Sequence, residues 1–210
     1  MDSLATSLFS ASEFRRRAER EKSILHDGDY GDHRLNPDMS DWALQNPLRD
    51  AAVLIPVVDY GDEASVILTK RTEKLRSHSG QISFPGGRID PTDSSPEFAA
   101  MREAEEEIGL RPDFIEVVGR MPDYISGSGF RISPILSVVK PGFDLKINED
   151  EVDDAFEVPL SFLMNEANHN RESRVFKERE RFFYTMPFGE RYIWGITAGI
   201  IRVVYERLYK

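Results

Sequence analysis

The 210-residue chain contains no cysteine, which excludes disulfides, thiolate metal sites and cysteine nucleophiles together. It has no apolar run approaching the ~20 residues that a membrane-spanning helix needs, so no membrane-embedded segment is expected. Positive charge is in deficit: 27 Lys and Arg stand against 37 Asp and Glu, a formal net charge of −10. Such a chain lacks the broad basic footprint of a nucleic-acid binder, and an anionic ligand would need a local basic patch or a bridging cation. Histidine is scarce, and neither a His-Glu-x-x-His zinc motif nor a Gly-x-x-x-x-Gly-Lys phosphate loop is present. Asp144–Asp154 is acidic but lacks the glycine on which a calcium loop turns. Ser126-Gly127-Ser128-Gly129 does not form the Gly-x-Ser-x-Gly elbow of a serine hydrolase; a hairpin loop, or a loop at the edge of a binding site, fits it better.

What is present is the 40% hydrophobic and 30% charged composition of one soluble globular domain. Near the N-terminus, Arg15, Arg16 and Arg17 are not followed by an apolar signal-peptide core, so the cytoplasm is the expected compartment. Residues 1–50 are polar and are expected to form a partly helical extension outside the main core. Within it, Ser12 is expected to cap a short basic helix over Glu13–Lys22, followed by irregular chain over Asp27–Asp41. Residues 51–210 are expected to form the main domain.

From Ala51 the pattern changes. Ala51–Val58 and Ala64–Thr69 are apolar runs separated by Tyr60-Gly61-Asp62-Glu63, which predicts a hairpin. Further strands are expected at Gln81–Phe84, Phe114–Met121, Ile132–Val139, Phe156–Leu160, Arg181–Met186 and Tyr192–Trp194. One helix is expected over Pro96–Ile108, with Ser95 as N-cap and Gly109 as stop signal, and another over Thr197–Leu208. Strands and helices mix without regular βα alternation, which points to an α/β fold with three layers around a mixed sheet.

Arg102-Glu103-Ala104-Glu105-Glu106-Glu107-Ile108-Gly109-Leu110 stands out. At 100° per residue, Glu103, Glu106 and Glu107 share about a third of the helix circumference. Like charges four apart repel, and the helix C-terminus also disfavours anions. Such a stripe is either a solvated acidic face or a set of oxygen ligands for a hard divalent ion such as Mg²⁺ or Mn²⁺. Charge is also segregated along the chain. Lys70 to Asp90 holds five cations and two anions; Asp93 to Glu107 holds six anions and one cation. Bidentate geometry makes Arg71 and Arg76 better phosphate ligands than the nearby lysines.

Phe84-Pro85-Gly86-Gly87, Arg88, Asp93 and the Arg102–Leu110 segment together resemble the signature of the Nudix hydrolases. That signature is Gly, five residues, Glu, seven residues, Arg-Glu, an aliphatic, any residue, Glu-Glu, any residue, Gly and an aliphatic. The half from Arg102 to Leu110 matches at every fixed position. In the first half, Asp93 stands where Glu is usual, and eight residues precede Arg102. Upstream, Ile67-Leu68-Thr69-Lys70-Arg71-Thr72, then Arg76, Gly80 and Phe84-Pro85-Gly86-Gly87, resemble the additional motif of the coenzyme A pyrophosphatase branch. Ile67 replaces a Leu and Thr72 a Ser or Ala, with every spacing kept. The resemblance runs from about Ala51 to Leu208.

It implies a Nudix-type α/β/α sandwich and Mg²⁺- or Mn²⁺-dependent hydrolysis of the diphosphate of coenzyme A or acyl-CoA. The implied products are adenosine 3′,5′-bisphosphate and 4′-phosphopantetheine or its acyl form. The implied metal ligands are Glu103, Glu106 and Glu107. Arg71, Arg76, His78, Gly86 and Gly87 would meet the substrate. Arg102 would orient a carboxylate, and the general base would be Glu106 or the loop residue Glu151. The expected partner is a small-molecule nucleotide, coenzyme A or a derivative; a homodimer is compatible with the sequence, and neither nucleic acid nor membrane is expected. Two alternatives stay open: another nucleoside diphosphate derivative such as ADP-ribose, and a non-catalytic Nudix ligand-binding module.

Overall fold

The computed structural model describes residues 7–22, 30–39, 46–74, 80–176 and 178–210. Its main sheet is mixed and runs β1-β7-β8-β2-β3-β4, formed by β1 (Tyr30–Gly31), β2 (Arg49–Asp59), β3 (Ala64–Arg71), β4 (Ile82–Ser83), β7 (Tyr124–Ile125) and β8 (Phe130–Val139). Three further strands join it: β5 (Gly86–Arg88) pairs with β2, β6 (Ile115–Arg120) with β8, and β9 (Val152–Pro159) with β3. β2 and β8 are parallel over ten residue pairs, and β2 and β3 antiparallel. A second antiparallel sheet has the order β10 (Asn170–Phe176), β11 (Arg179–Phe188), β12 (Arg191–Trp194).

The main sheet is covered on both faces. Ile55, Val57, Val66, Leu68, Leu136 and Val138 point into one core, shared with α1 (Ala11–Glu21) and α4 (Gly195–Val204). Leu54, Val58, Ile67, Ile135 and Val139 point into a second core against α2 (Pro96–Ile108). Alternate residues of each strand therefore both lose water, which is why β2 and β8 are nearly continuous apolar runs. Each fully buried Leu or Ile contributes roughly 1.5–3 kcal/mol. A short helix, α3 (Leu160–Leu163), follows β9, and α4 ends in a π-helical turn over Tyr205–Tyr209. This is the three-layer α/β/α arrangement expected from the sequence.

The N-terminal region corrects one expectation. Ala11, Phe14 and Ala18 of α1 are buried in the first core, so this helix is not external to it. The basic side chains of this helix hide its narrow apolar face of small residues and one Phe. Its N-cap is Ser10, whose Oγ accepts from Glu13 N, and not Ser12. β10 was not expected from the sequence because all seven of its residues are exposed; pairing with β11, not burial, makes it a strand.

Candidate active site

Helix α2 begins and ends where its sequence dictates. Ser95 Oγ accepts from Phe98 N, Pro96 occupies the first turn, and Gly109 adopts φ 69°. Gly109 N–H donates to Glu105 O, the single bond of an αL cap, and Leu110 N–H reaches back to Ala104 O with the Leu110 side chain buried. Ala99, Ala100, Ala104 and Ile108 face the sheet, which turns Glu103 and Glu107 toward β5.

The Phe84–Gly87 turn brings backbone to these carboxylates. Pro85 O accepts from Leu54 N, and Gly86 and Gly87 pair with Val53 and Ala52. Gly86 N–H donates to Glu107 Oε2 at 3.2 Å. A Cβ on Gly87 would lie 2.5 Å from the Glu103 carboxylate, so only glycine permits this approach.

Arg102 sits at the centre of an ionic clamp. Its Nε and Nη2 each meet an Asp93 carboxylate oxygen at 3.0 Å, and its Nη1 reaches Glu103 at 2.9 Å and Glu106 at 3.0 Å. A planar fork with five donors can serve three carboxylates at once, which an ammonium cannot do with the same geometry. Arg102 accordingly holds the Asp93 carboxyl below its ordinary range. Asp93, the departure from the family pattern, is here the anchor of Arg102.

The glutamates have different surroundings. Glu107 is 1% exposed, and burial pushes its carboxyl up to about 7, against the opposing effects of Gly86 N–H and Arg71. Glu103 and Glu151 raise it further by repulsion. Burial also raises Glu103. Arg71 Nη1 stands 3.4 Å from Glu107 Oε1, too far for a tight ion pair. Glu106 is more than half exposed and rests on Arg102.

Glu103, Glu107, Glu151, Arg71, Gly86 and Gly87 all line one cavity of about 1060 Å³; Glu106 and Arg102 do not. Arg76 and His78 lie outside the described residues. Gly127 and Ser128, in the loop before β8, also reach the cavity rim. Among the described residues, no three His, Asp or Glu side chains stand close enough to hold a metal ion as placed, since Arg102 draws Glu103 and Glu106 onto itself. The donor set nevertheless fits a hard divalent cation. It is all oxygen, it crowds negative charge around the buried Glu107, and the absence of a side chain at Gly87 lets the Glu103 carboxylate stand against β5 beside it.

The opposite wall of the cavity comes from residues that sequence reasoning did not single out. Asp32, Asn36 and Asp38 line it together with Arg179, Arg181, Phe182, Phe183 and Trp194. Asn36 donates to Phe182 O and accepts from Phe182 N, both at 2.9 Å, so its amide replaces a neighbouring strand where β12 does not reach. Asp32 accepts from Tyr124 Oη and Gly127 N, and burial raises its pKa. No local pattern signals these pairs.

The NUDIX domain family model matches residues 48–179. The "Uncharacterized Nudix hydrolase NudL" of Cronobacter sakazakii is 38% identical over 168 residues, covering 80% of this chain and 86% of that protein. The protein of the same description from Escherichia coli K12 is 38% identical over 169 residues, with the same coverage of both. Among solved structures, a MutT/nudix family protein from Enterococcus faecalis aligns over 93% of this chain and 73% of its own, with 16% identity and a TM-score of 0.45. The NUDIX domain of Shewanella oneidensis NrtR, solved with ADP ribose, aligns over 61% of this chain and 82% of its own, with 19% identity and a TM-score of 0.42. With the family model spanning more than half of its residues, and relatives this similar over four fifths of its length, the chain belongs to the NUDIX domain family and is a Nudix hydrolase.

Proposed function

We propose that this Nudix hydrolase cleaves the diphosphate of coenzyme A or an acyl-CoA, releasing adenosine 3′,5′-bisphosphate and 4′-phosphopantetheine or its acyl form. The observation that supports this most is a single cavity of about 1060 Å³ holding Arg71, the Gly86–Gly87 backbone, Glu103, Glu107 and Glu151. It unites the Nudix signature with the motif that resembles the coenzyme A branch. Glu103 and Glu107, which line the cavity, and Glu106 beside them on the helix would hold Mg²⁺ or Mn²⁺. The ion would neutralise phosphate charge and lower the pKa of a water.

The chain's own side chains supply the rest. Arg71 faces the diphosphate with a guanidinium only loosely engaged by Glu107. Glu151 lines the cavity within electrostatic reach of Glu103 and Glu107 and is the base candidate we favour, because Glu106 lies on Arg102 outside the lining. Glu151 would take a proton from the attacking water as that water adds to one phosphorus and the bridging oxygen leaves with the other phosphate. Arg102, anchored by Asp93, orients Glu103 and Glu106.

Incubation with coenzyme A and with ADP-ribose, each with Mg²⁺ or Mn²⁺, followed by chromatographic resolution of products, tests this. Adenosine 3′,5′-bisphosphate from coenzyme A, lost in a Glu103→Gln variant, is the expected result. AMP from ADP-ribose with coenzyme A left intact would replace the substrate assignment, and binding without turnover of either would favour a ligand-binding module.

A further inference from the structure

The cavity extends well beyond the carboxylates. At its other wall, Arg181 Nη1 meets both oxygens of Asp38, at 2.7 and 2.9 Å, and Arg179 Nη1 meets the same carboxylate at 3.1 Å. Two guanidiniums thus share one carboxylate. The adjacent Glu180 keeps its charge but projects from the other face of β11, where its carboxylate accepts from Ser173 Oγ. One unit of positive charge remains, on forks whose other N–H groups have open donor capacity.

Beside this pair stand Phe183 and Trp194, edge to face at 5.5 Å, with the Arg174 guanidinium 5.8 and 5.4 Å from their ring centres; the Phe182 side chain leaves β11 on the other face, under Arg171. Flat aromatic surface next to paired guanidiniums suits a ring system that carries a phosphate monoester. The rings supply a stacking surface for a base, and the forks match the dianion's oxygens. Arg71, against Glu107, lines the same cavity on a different strand, so the two cationic sites can act on different phosphates of one ligand.

We propose that this wall is a subsite for the ribose-linked phosphate monoester and nucleobase of the substrate, with Arg179 and Arg181 on the phosphate and Phe183 and Trp194 along the base. Asp38 holds the two arginines in register and competes for their charge. The proposal rests on the coenzyme A reading above and identifies which part of that substrate lies away from the scissile bond.

The full chain is titrated calorimetrically with adenosine 3′,5′-bisphosphate and with adenosine 5′-monophosphate, and kcat/KM is measured for coenzyme A and 3′-dephospho-coenzyme A. Wild type is compared with the R179Q/R181Q double variant and with Asp38→Asn. The expected result is a preference of about tenfold or more for the bisphosphate and for coenzyme A, as charge-assisted bidentate contacts provide. The double variant loses that preference. Asp38→Asn increases it, a gain that a folding defect cannot produce and that decides the matter if the double variant fails to fold. Equal wild-type affinity for the two nucleotides, or a preference that survives the double substitution, overturns the subsite. Hydrolysis of coenzyme A and its dephospho form with equal efficiency overturns the subsite but leaves the coenzyme A reading standing. A bisphosphate preference without coenzyme A turnover overturns that reading and supports the subsite.

Discussion

At the carboxylate end of the cavity, one stretch from Phe84 to Leu110 supplies a turn, a capped helix, the Arg102 clamp and two lining glutamates, the clamp spanning nine positions and the Gly86–Glu107 bond 21. At the far end, Asn36 meets Phe182 across 146 positions and Asp38 meets Arg181 across 143. The first end is arranged for chemistry at a cost in stability: it buries Glu107 and crowds like charges around it. The second is held together by pairs between distant segments, Asn36 with Phe182 and Asp38 with Arg179 and Arg181. Damage to the first should appear in turnover, and damage to the second in stability and affinity.

The largest expected effect tests that division directly. Glu107→Gln removes the charge of a proposed metal ligand and should lower kcat/KM by about a thousandfold or more, on the order of 4 kcal/mol of transition-state stabilisation. Because folding raises the Glu107 pKa, its ionised form is disfavoured in the native state. The neutral amide should therefore leave the metal-free Tm unchanged or higher. A matching fall in Tm would erase the contrast between the two ends.

Arg102→Lys comes next. One ammonium cannot reproduce four contacts to three carboxylates, so kcat/KM should fall by roughly 10–100-fold, as for other groups that orient metal ligands. Steady-state assays across Mg²⁺ concentrations check this, with the deficit greatest at low metal. Full activity in the lysine variant would reduce the clamp to a surface charge pair.

At the far end, Asn36→Ala leaves the Phe182 N–H and C=O without these partners in a half-buried position, which costs about 1–3 kcal/mol. For a chain of this length, each 1 kcal/mol shifts Tm by roughly 2–4 °C, so thermal unfolding should show a drop of several degrees. The smallest effect concerns helix α1, the other N-terminal element. Arg16, with Arg17, holds the Glu13 carboxyl down to about 2 from its ordinary 4.5. The pairing contributes fully above pH 4.5 and is lost as pH falls toward 2. Over that interval Glu13→Gln should lose its Tm difference from wild type, a difference of no more than about 2 °C for pairs this close to solvent.

The same contrast explains what could be read in advance. Helix α2 was legible at both ends because Ser95, Pro96 and Gly109 act within one turn of themselves. Strands β2 and β8 were legible because burial on two faces leaves unbroken apolar runs. The grouping of Glu103 and Glu107 in one cavity follows from helical spacing, but the separation of Glu106 from them does not. It depends on Arg102 being pinned by Asp93 nine residues earlier. β10 and the buried face of α1 were missed because a strand without burial and a helix face of small residues leave little hydrophobic signal.

By itself the sequence determined the chemistry of the carboxylate end: which residues are acidic, which glycine admits close approach, and where the helix starts and stops. Those features depend on backbone geometry and on contacts within a few residues. Only the tertiary structure decided that Glu151 faces the same cavity, that Tyr30–Met39 forms part of its wall, and that Arg179 and Arg181 converge on Asp38. Pairings of that kind form only after the sheet has fixed the segments side by side. Their loop-closure cost is met by the whole fold, so no local pattern in the residues announces them.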